Sequence, residues 1–434
     1  MSLATGTSSE LIHTLPNGVR IVHLPMPAAT TTVAVFVRSG SAHEDRVLNG
    51  VSHLVEHMLF KGTRSRDAHR INLDAETLGA EVNAHTDRDH TAFYMRGLPQ
   101  HAADFARMLG DLVANATFPA DEFEREREVL LQELAEEEDD PVSIAHKLFD
   151  AACWGLHPAA LPVIGTRANL QRLQRYEVAA YVASKYRAAN IVVGVAGPAL
   201  EGDAERAFAH ACDAAFGALP TGETNVVEVP AYAGGVRTRS LAGSSQAHAV
   251  LGGLLEPRRR CSIDDEAAIA LAAAVLGEGM SSPLLLELRE QRAIAYHVSA
   301  SADTCEMCGQ FVIDASMAPE RVDEWLDVVL RLLREHAGRI DPGDLMRARR
   351  QLEVQQLLAN DKPLRRIEDA ALDLFAHGQL RSNEERLRAL ERAPEEAVRA
   401  VFERLLHAGL SLALTGTLQR AAGQRARTAI DALR

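Results

Sequence analysis

The chain has 434 residues, with 46 Lys+Arg against 60 Asp+Glu, a formal charge of −14; 47% of residues are apolar and 24% charged. These values suit a globular protein of two or three domains, and an acidic chain repels both nucleic acid and anionic membrane at long range. The longest apolar stretch, Ala267 to Gly277, falls short of the ~18 residues needed to cross a bilayer, so neither nucleic acid nor membrane is expected as a partner.

Residues 19–39 hold two β-rich runs separated by Pro25 and Pro27, which predicts strand, turn, strand. From Leu48 to Phe60 the apolar residues recur at three- and four-residue spacing, the period of an amphipathic helix. A second helix is expected over 67–78, stopped by Gly79, then a strand pair near 80–97 and helices near 100–115, 120–138 and 142–152. Residues 190–197 read as a buried strand and 203–216 as a helix. Gly217, Pro220, Gly222, Pro230, Gly234 and Gly235 form the densest cluster of breakers in the chain, so the domain boundary is placed there, giving domains 1–222 and 223–434. The second half repeats the plan: a strand at 248–255, helices at 265–277 and 282–291, strands at 295–301 and 309–316, and a helix at 319–337. The expected fold class is α+β, two similar domains, each a mainly antiparallel sheet with helices on one face.

Five cysteines are too few and too scattered for a disulfide scaffold, and Cys305-Glu-Met-Cys308 lacks a second Cys or His pair. Both are read as small buried side chains. The first residues have no basic stretch followed by an apolar core, so no signal peptide is visible and the cytoplasm is expected; a leader removed earlier would point to the periplasm. No G-x-S-x-G, Walker A or complete dinucleotide fingerprint occurs. Arg258-Arg-Arg260 reads as a loop rather than a nucleic-acid patch.

His53-Leu-Val-Glu56-His57 lies on the predicted helix 48–60. Residues four apart are ~40° apart around a helix, so the two imidazoles project from one side and can share a zinc ion. Glu56 lies ~60° to the other side of His53, close enough to act on a metal-bound water without ligating the metal. Composition predicts about 0.09 chance matches to such a motif, so the five residues alone are suggestive. A catalytic zinc needs a third ligand and one open position. Asp121 to Asp140 contains 11 acidic residues, most of which must form a solvated face, with Val129, Leu130, Leu131 and Leu134 marking the buried side. Glu126 and Glu133, seven apart, share a face; helix geometry also admits Glu136 or Glu137.

His53-x-x-Glu56-His57-x-x-Phe60-x-Gly62-Thr63, with Glu133 seventy-six residues after the second His, resembles the pitrilysin-type or inverzincin metallopeptidases, over essentially the whole chain. The chain is most similar to the mitochondrial-processing-peptidase-like branch, which has small bacterial members. The resemblance selects Glu133 as third zinc ligand and places Glu126 behind the metal site. It also matches Gly79-Ala-Glu-Val-Asn83-Ala84-His-Thr86 to a substrate-binding strand, and Arg289 and Tyr296 to a pair that completes the active site around substrate. Two departures stand out: His157-Pro158-Ala159-Ala160-Leu161 lacks the usual turn glycine, and Ala293 replaces a usual Gly. His85 and His90 are read as cleft-lining residues, not ligands.

The resemblance implies a zinc endopeptidase with one Zn²⁺ per chain, held by His53, His57 and Glu133, with Glu56 as general base and then acid. Asn83 and Ala84 would lie on a free sheet edge to which an extended peptide adds as a strand. Arg289 and Tyr296 would serve a zinc on another polypeptide, in a homodimer or a heterodimer with a degenerate paralogue enclosing a chamber. The alternative is a non-catalytic structural or assembly subunit, whose expected mark is loss of a zinc-site residue; none is lost here.

Overall fold

A computed structural model describes residues 11–433 of the chain. It divides into two compact units that are not contiguous in sequence. Of the described residues, the first comprises those up to Leu134, Pro162–Val227 and Leu358–Leu380; the second comprises Ala135–Leu161, Glu228–Leu357 and those from Arg381 onward. The break at Val227 lies in the Gly/Pro-rich stretch, but two helical segments belong to the unit distant from them in sequence.

The first unit is built on a six-stranded sheet of β1 (Leu11–Thr14), β2 (Arg20–Pro25), β3 (Thr31–Val37), β4 (Glu81–Thr86), β5 (Thr91–Gly97) and β6 (Ile191–Gly197). Their order is β1-β2-β6-β3-β5-β4, antiparallel except at β2/β6. Strands β3 and β6 are buried at every position because both faces are covered. On one face lie the helices Val51–Leu59, Ala102–Asn115 and Asp203–Phe216, around Val35, Leu54, Phe93 and Phe105. On the other lies a single helix, Pro363–His377, whose Ile367, Ala371 and Leu374 pack on Val22, Phe36 and Val192. Gly194 makes that approach possible: a Cβ there would lie 2.0 Å from Ile367 Cγ2.

The second unit has a five-stranded sheet of β7 (Gly235–Ser240), β8 (Ala247–Leu255), β9 (Ala295–Thr304), β10 (Gly309–Met317) and β11 (Leu410–Gly416), ordered β7-β11-β8-β10-β9 and antiparallel except at β7/β11. The helices Ile263–Gly277, Val322–Gly338 and Glu395–Ala408 form one apolar layer. The helix Pro141–Trp154 packs on β8 and β11, with Thr415 Oγ1 donating to Pro141 O at 2.7 Å. The α+β, two-sheet architecture is the expected one; the refinement is one further helix on the opposite face of each sheet.

Candidate metal centre

The helix Val51–Leu59 buries Val51, Ser52, Leu54, Val55, Met58 and Leu59, leaving His53, Glu56 and His57 as its half-buried stripe. It begins later than the apolar period suggested, because Gly50 takes a φ of 99° and starts the first turn. The helix N-terminus is held by Glu44, whose carboxylate accepts from Gly50 N at 2.8 Å, Ser52 N at 2.7 Å and Asn49 Nδ2 at 3.0 Å. Burial pushes that carboxyl up to about 7, while these hydrogen bonds pull it back.

The acidic helix Ala120–Asp139 buries Phe123, Glu126, Arg127, Leu130 and Leu134. Val129, expected on the buried side, is exposed, because it lies ~100° around the axis from Leu130 and off that stripe. Glu133 Oε2 sits 4.0 Å from His53 Nε2 and 3.8 Å from His57 Nε2, whereas Glu137 is paired with Lys147. The three ligand atoms lie within 4.8 Å of one another. His57 Nδ1 lies 2.9 Å from Glu126 Oε2, and Glu126 Oε1 accepts from Lys61 Nζ at 2.6 Å. The buried Glu126 therefore holds the Nδ1–H tautomer of His57 and leaves Nε2 free to ligate. Burial, aided by neighbouring His57, holds the His53 imidazole down to about 4, so this ring is neutral at pH 7.

Donor atoms around a tetrahedral zinc stand ~3.4 Å apart. The observed separations to Glu133 are a few tenths of an ångström wider, and its half-exposed side chain is free to close that gap. Two imidazoles, one carboxylate and a His57 ring oriented by Glu126 thus fit zinc. Glu56 points to the neighbouring strand, its Oε2 accepting from Thr86 Oγ1 at 2.6 Å. Burial pushes its carboxyl up, with the Thr86 hydrogen bond opposing. The sequence marks Thr86 only as part of a strand motif; the alternation that puts Ala84 and Thr86 on one face of β4 carries the signal for this role.

Strand β4 is an edge of its sheet. Val82 and Ala84 pack on the layer containing the histidine helix, so alternation puts Asn83 and His85 on the opposite face. Asn83 Oδ1 accepts from Ala84 N at 2.8 Å. Arg289 and Tyr296 belong to the second unit. The Arg289 guanidinium lies 5.2 Å from the centre of the Tyr296 ring, and Tyr296 is 81% exposed. Arg289 sits in a π-helical turn, Leu286–Gln291, and Ala293 just after it takes a φ of 48°, a left-handed conformation that explains the usual glycine. All five cysteines are buried and outside any disulfide; Cys305 and Cys308 lie in the β9–β10 connection.

Residues 20–167 match the family described as insulinase (peptidase family M16), and residues 172–352 match the peptidase M16 inactive domain. An uncharacterized zinc protease of Bacillus subtilis, YmxG, is 30% identical over 325 residues, covering 74% of this chain and 77% of its own. The mitochondrial-processing peptidase subunit beta of Caenorhabditis elegans is 26% identical over 421 residues, 94% of this chain and 90% of its own. Among solved structures, a peptidase M16 inactive domain from Pseudomonas fluorescens superposes with a TM-score of 0.84 at 21% identity, over 94% of this chain and 98% of its own, a likeness of fold. With its paired sheets and its His-His-Glu cluster, the chain belongs to peptidase family M16, the pitrilysin-type zinc metallopeptidases.

Proposed function

We propose that the chain is a zinc-dependent endopeptidase acting on extended or unfolded peptides, with one catalytic zinc held by His53, His57 and Glu133. The observation that carries this reading is the convergence of those three side chains, from two separated helices, with Glu56 beside them. Zinc bound there supplies Lewis acidity, lowering the pKa of a water and polarising the scissile carbonyl. Glu56 accepts a proton as water attacks the carbonyl carbon and returns it to the leaving amide nitrogen as the C–N bond breaks. The Thr86 hydroxyl orients the carboxylate, and Glu126 fixes the His57 ring.

An extended peptide adds to the free edge of β4, its backbone displacing Asn83 Oδ1 from the Ala84 N–H. The net negative acidic helix favours basic segments. In a homodimer enclosing a chamber, each copy offers Arg289 and Tyr296 as donors to carbonyl oxygens at the metal site of the other. This assembly rests on the family resemblance and on both signatures lying in one chain; a degenerate partner would serve equally.

The test is cleavage of an unfolded basic peptide by zinc-loaded wild type and Glu56→Gln. Loss of turnover with metal retained is expected. Undiminished turnover in the variant contradicts the assigned base, and an inactive, zinc-loaded wild type establishes the non-catalytic subunit instead. Equal cleavage of acidic and basic peptides removes the proposed preference.

A further inference from the structure

We infer that His85, His90 and Glu368 form a second metal site, for a divalent transition-metal ion of the zinc type, on the face of the first sheet opposite the His53–His57 pair. His85 is the penultimate residue of β4, His90 precedes β5, and Glu368 comes from the helix Pro363–His377 that covers that face; all three belong to one compact unit. His85 Nε2 and His90 Nε2 are 3.3 Å apart, and Glu368 Oε1 lies 4.0 Å from the first and 3.9 Å from the second. The circumcentre of a triangle with those sides is about 2.2 Å from each corner, the length of a zinc–nitrogen or zinc–oxygen bond.

The remaining atoms of two ligands are already held. His90 Nδ1 lies 2.7 Å from the buried carboxylate of Asp89, which leaves Nε2 as the free ligand atom. Glu368 Oε2 accepts from Arg365 at 3.1 Å, which turns Oε1 towards the imidazoles. Hydrogen bonding alone accounts for the His85–His90 approach, but not for Oε1, which is too far from either nitrogen to bond it and nearly equidistant from both. Two imidazoles and one carboxylate favour zinc, cobalt or nickel over magnesium or calcium, whose preferred ligands are oxygens.

A cation here ties the β4–β5 turn to a helix nearly three hundred residues later in the chain. Its consequence for the other face is direct: Thr86, the neighbour of His85, bonds Glu56. Fixing the end of β4 fixes the hydroxyl that orients that carboxylate.

The experiment is zinc stoichiometry of the full chain after dialysis, in wild type, in the His53→Ala/His57→Ala double variant, and in that variant with His85→Ala or, separately, Glu368→Gln. The expected contents are about two, one and, for either addition, close to zero equivalents. The double variant loaded with Co²⁺ is expected to show four-coordinate visible absorption that His85→Ala abolishes, with unchanged far-ultraviolet dichroism establishing that each variant is folded. No metal in the folded double variant, or an equivalent that survives both His85→Ala and Glu368→Gln, overturns the proposal. If instead the catalytic reading fails, wild type and double variant hold the same single equivalent, which His85→Ala removes.

Discussion

The first α-helix after β3 and the first after β8 occupy equivalent places in chain order, yet they carry opposite kinds of side chain. Val51–Leu59 buries its apolar residues and leaves His53, Glu56 and His57 as a half-buried stripe, with Glu56 reaching Thr86 of β4. Ile263–Gly277 is buried from Ala267 to Ala268, Ile269 and then Leu271 through Gly277, because the helix Glu395–Ala408 covers it. Both metal-competent clusters among the described residues lie in the first unit. The shared scaffold needs only one buried stripe per helix, so chemistry is carried where the second stripe is left open; where another helix closes it, only packing remains.

Substitutions in the two units sharpen this contrast. Glu56→Gln is expected to lower kcat about 10³-fold or more while leaving bound zinc unchanged, read by peptide turnover beside elemental analysis. Glu126→Gln is expected to weaken zinc binding at the His53–His57 pair by about 10–100-fold, since His57 loses the charged partner that fixes its tautomer; competition with a chelator measures it. A variant that binds zinc as tightly as wild type would place Glu126 outside the metal site.

Stability should respond to Glu44 in a pH-dependent way. Its folded pKa, pushed up to about 7, lies above the ordinary carboxyl value, so the folded state holds the proton more tightly than the unfolded chain. The stability this group contributes is present at low pH and is lost as pH rises towards 7. The stability of wild type relative to Glu44→Gln should therefore fall between about pH 5 and 7, by on the order of 2 kcal/mol, in denaturant titrations. A difference constant from pH 5 to 8 would show that the helix N-terminus holds the charge without cost.

The smallest effect belongs to the second unit. Ala293→Gly relieves a left-handed alanine and should stabilise the chain by about 0.5–1 kcal/mol, visible as a rise in Tm without change in zinc content.

Much of this was legible in the sequence because it is local. The histidine helix, the β4–β5 pair and the helix Asp203–Phe216 announce themselves through period and punctuation, and the two imidazoles fall on one side by helix geometry alone. The choice of Glu133 over Glu136 or Glu137 is not local; it needs the resemblance, and in the fold the Glu133 carboxylate lies near both rings. The His85–His90–Glu368 cluster was invisible because Glu368 arrives from a helix that sequence order assigns to the other half. The same exchange hid the helices on the outer faces, since periodicity shows which face is apolar but not which sheet it covers. Ala293 stands in the sequence where a glycine is usual, and its φ of 48° supplies the reason.

The most direct measurement is an anomalous difference map at the zinc edge from crystals of the zinc-loaded full chain. A peak ~2.1 Å from His53 Nε2, His57 Nε2 and a Glu133 oxygen is the expected result. Density absent from that position, or a Glu133 carboxylate turned away from a metal that the two histidines hold without it, would contradict the account.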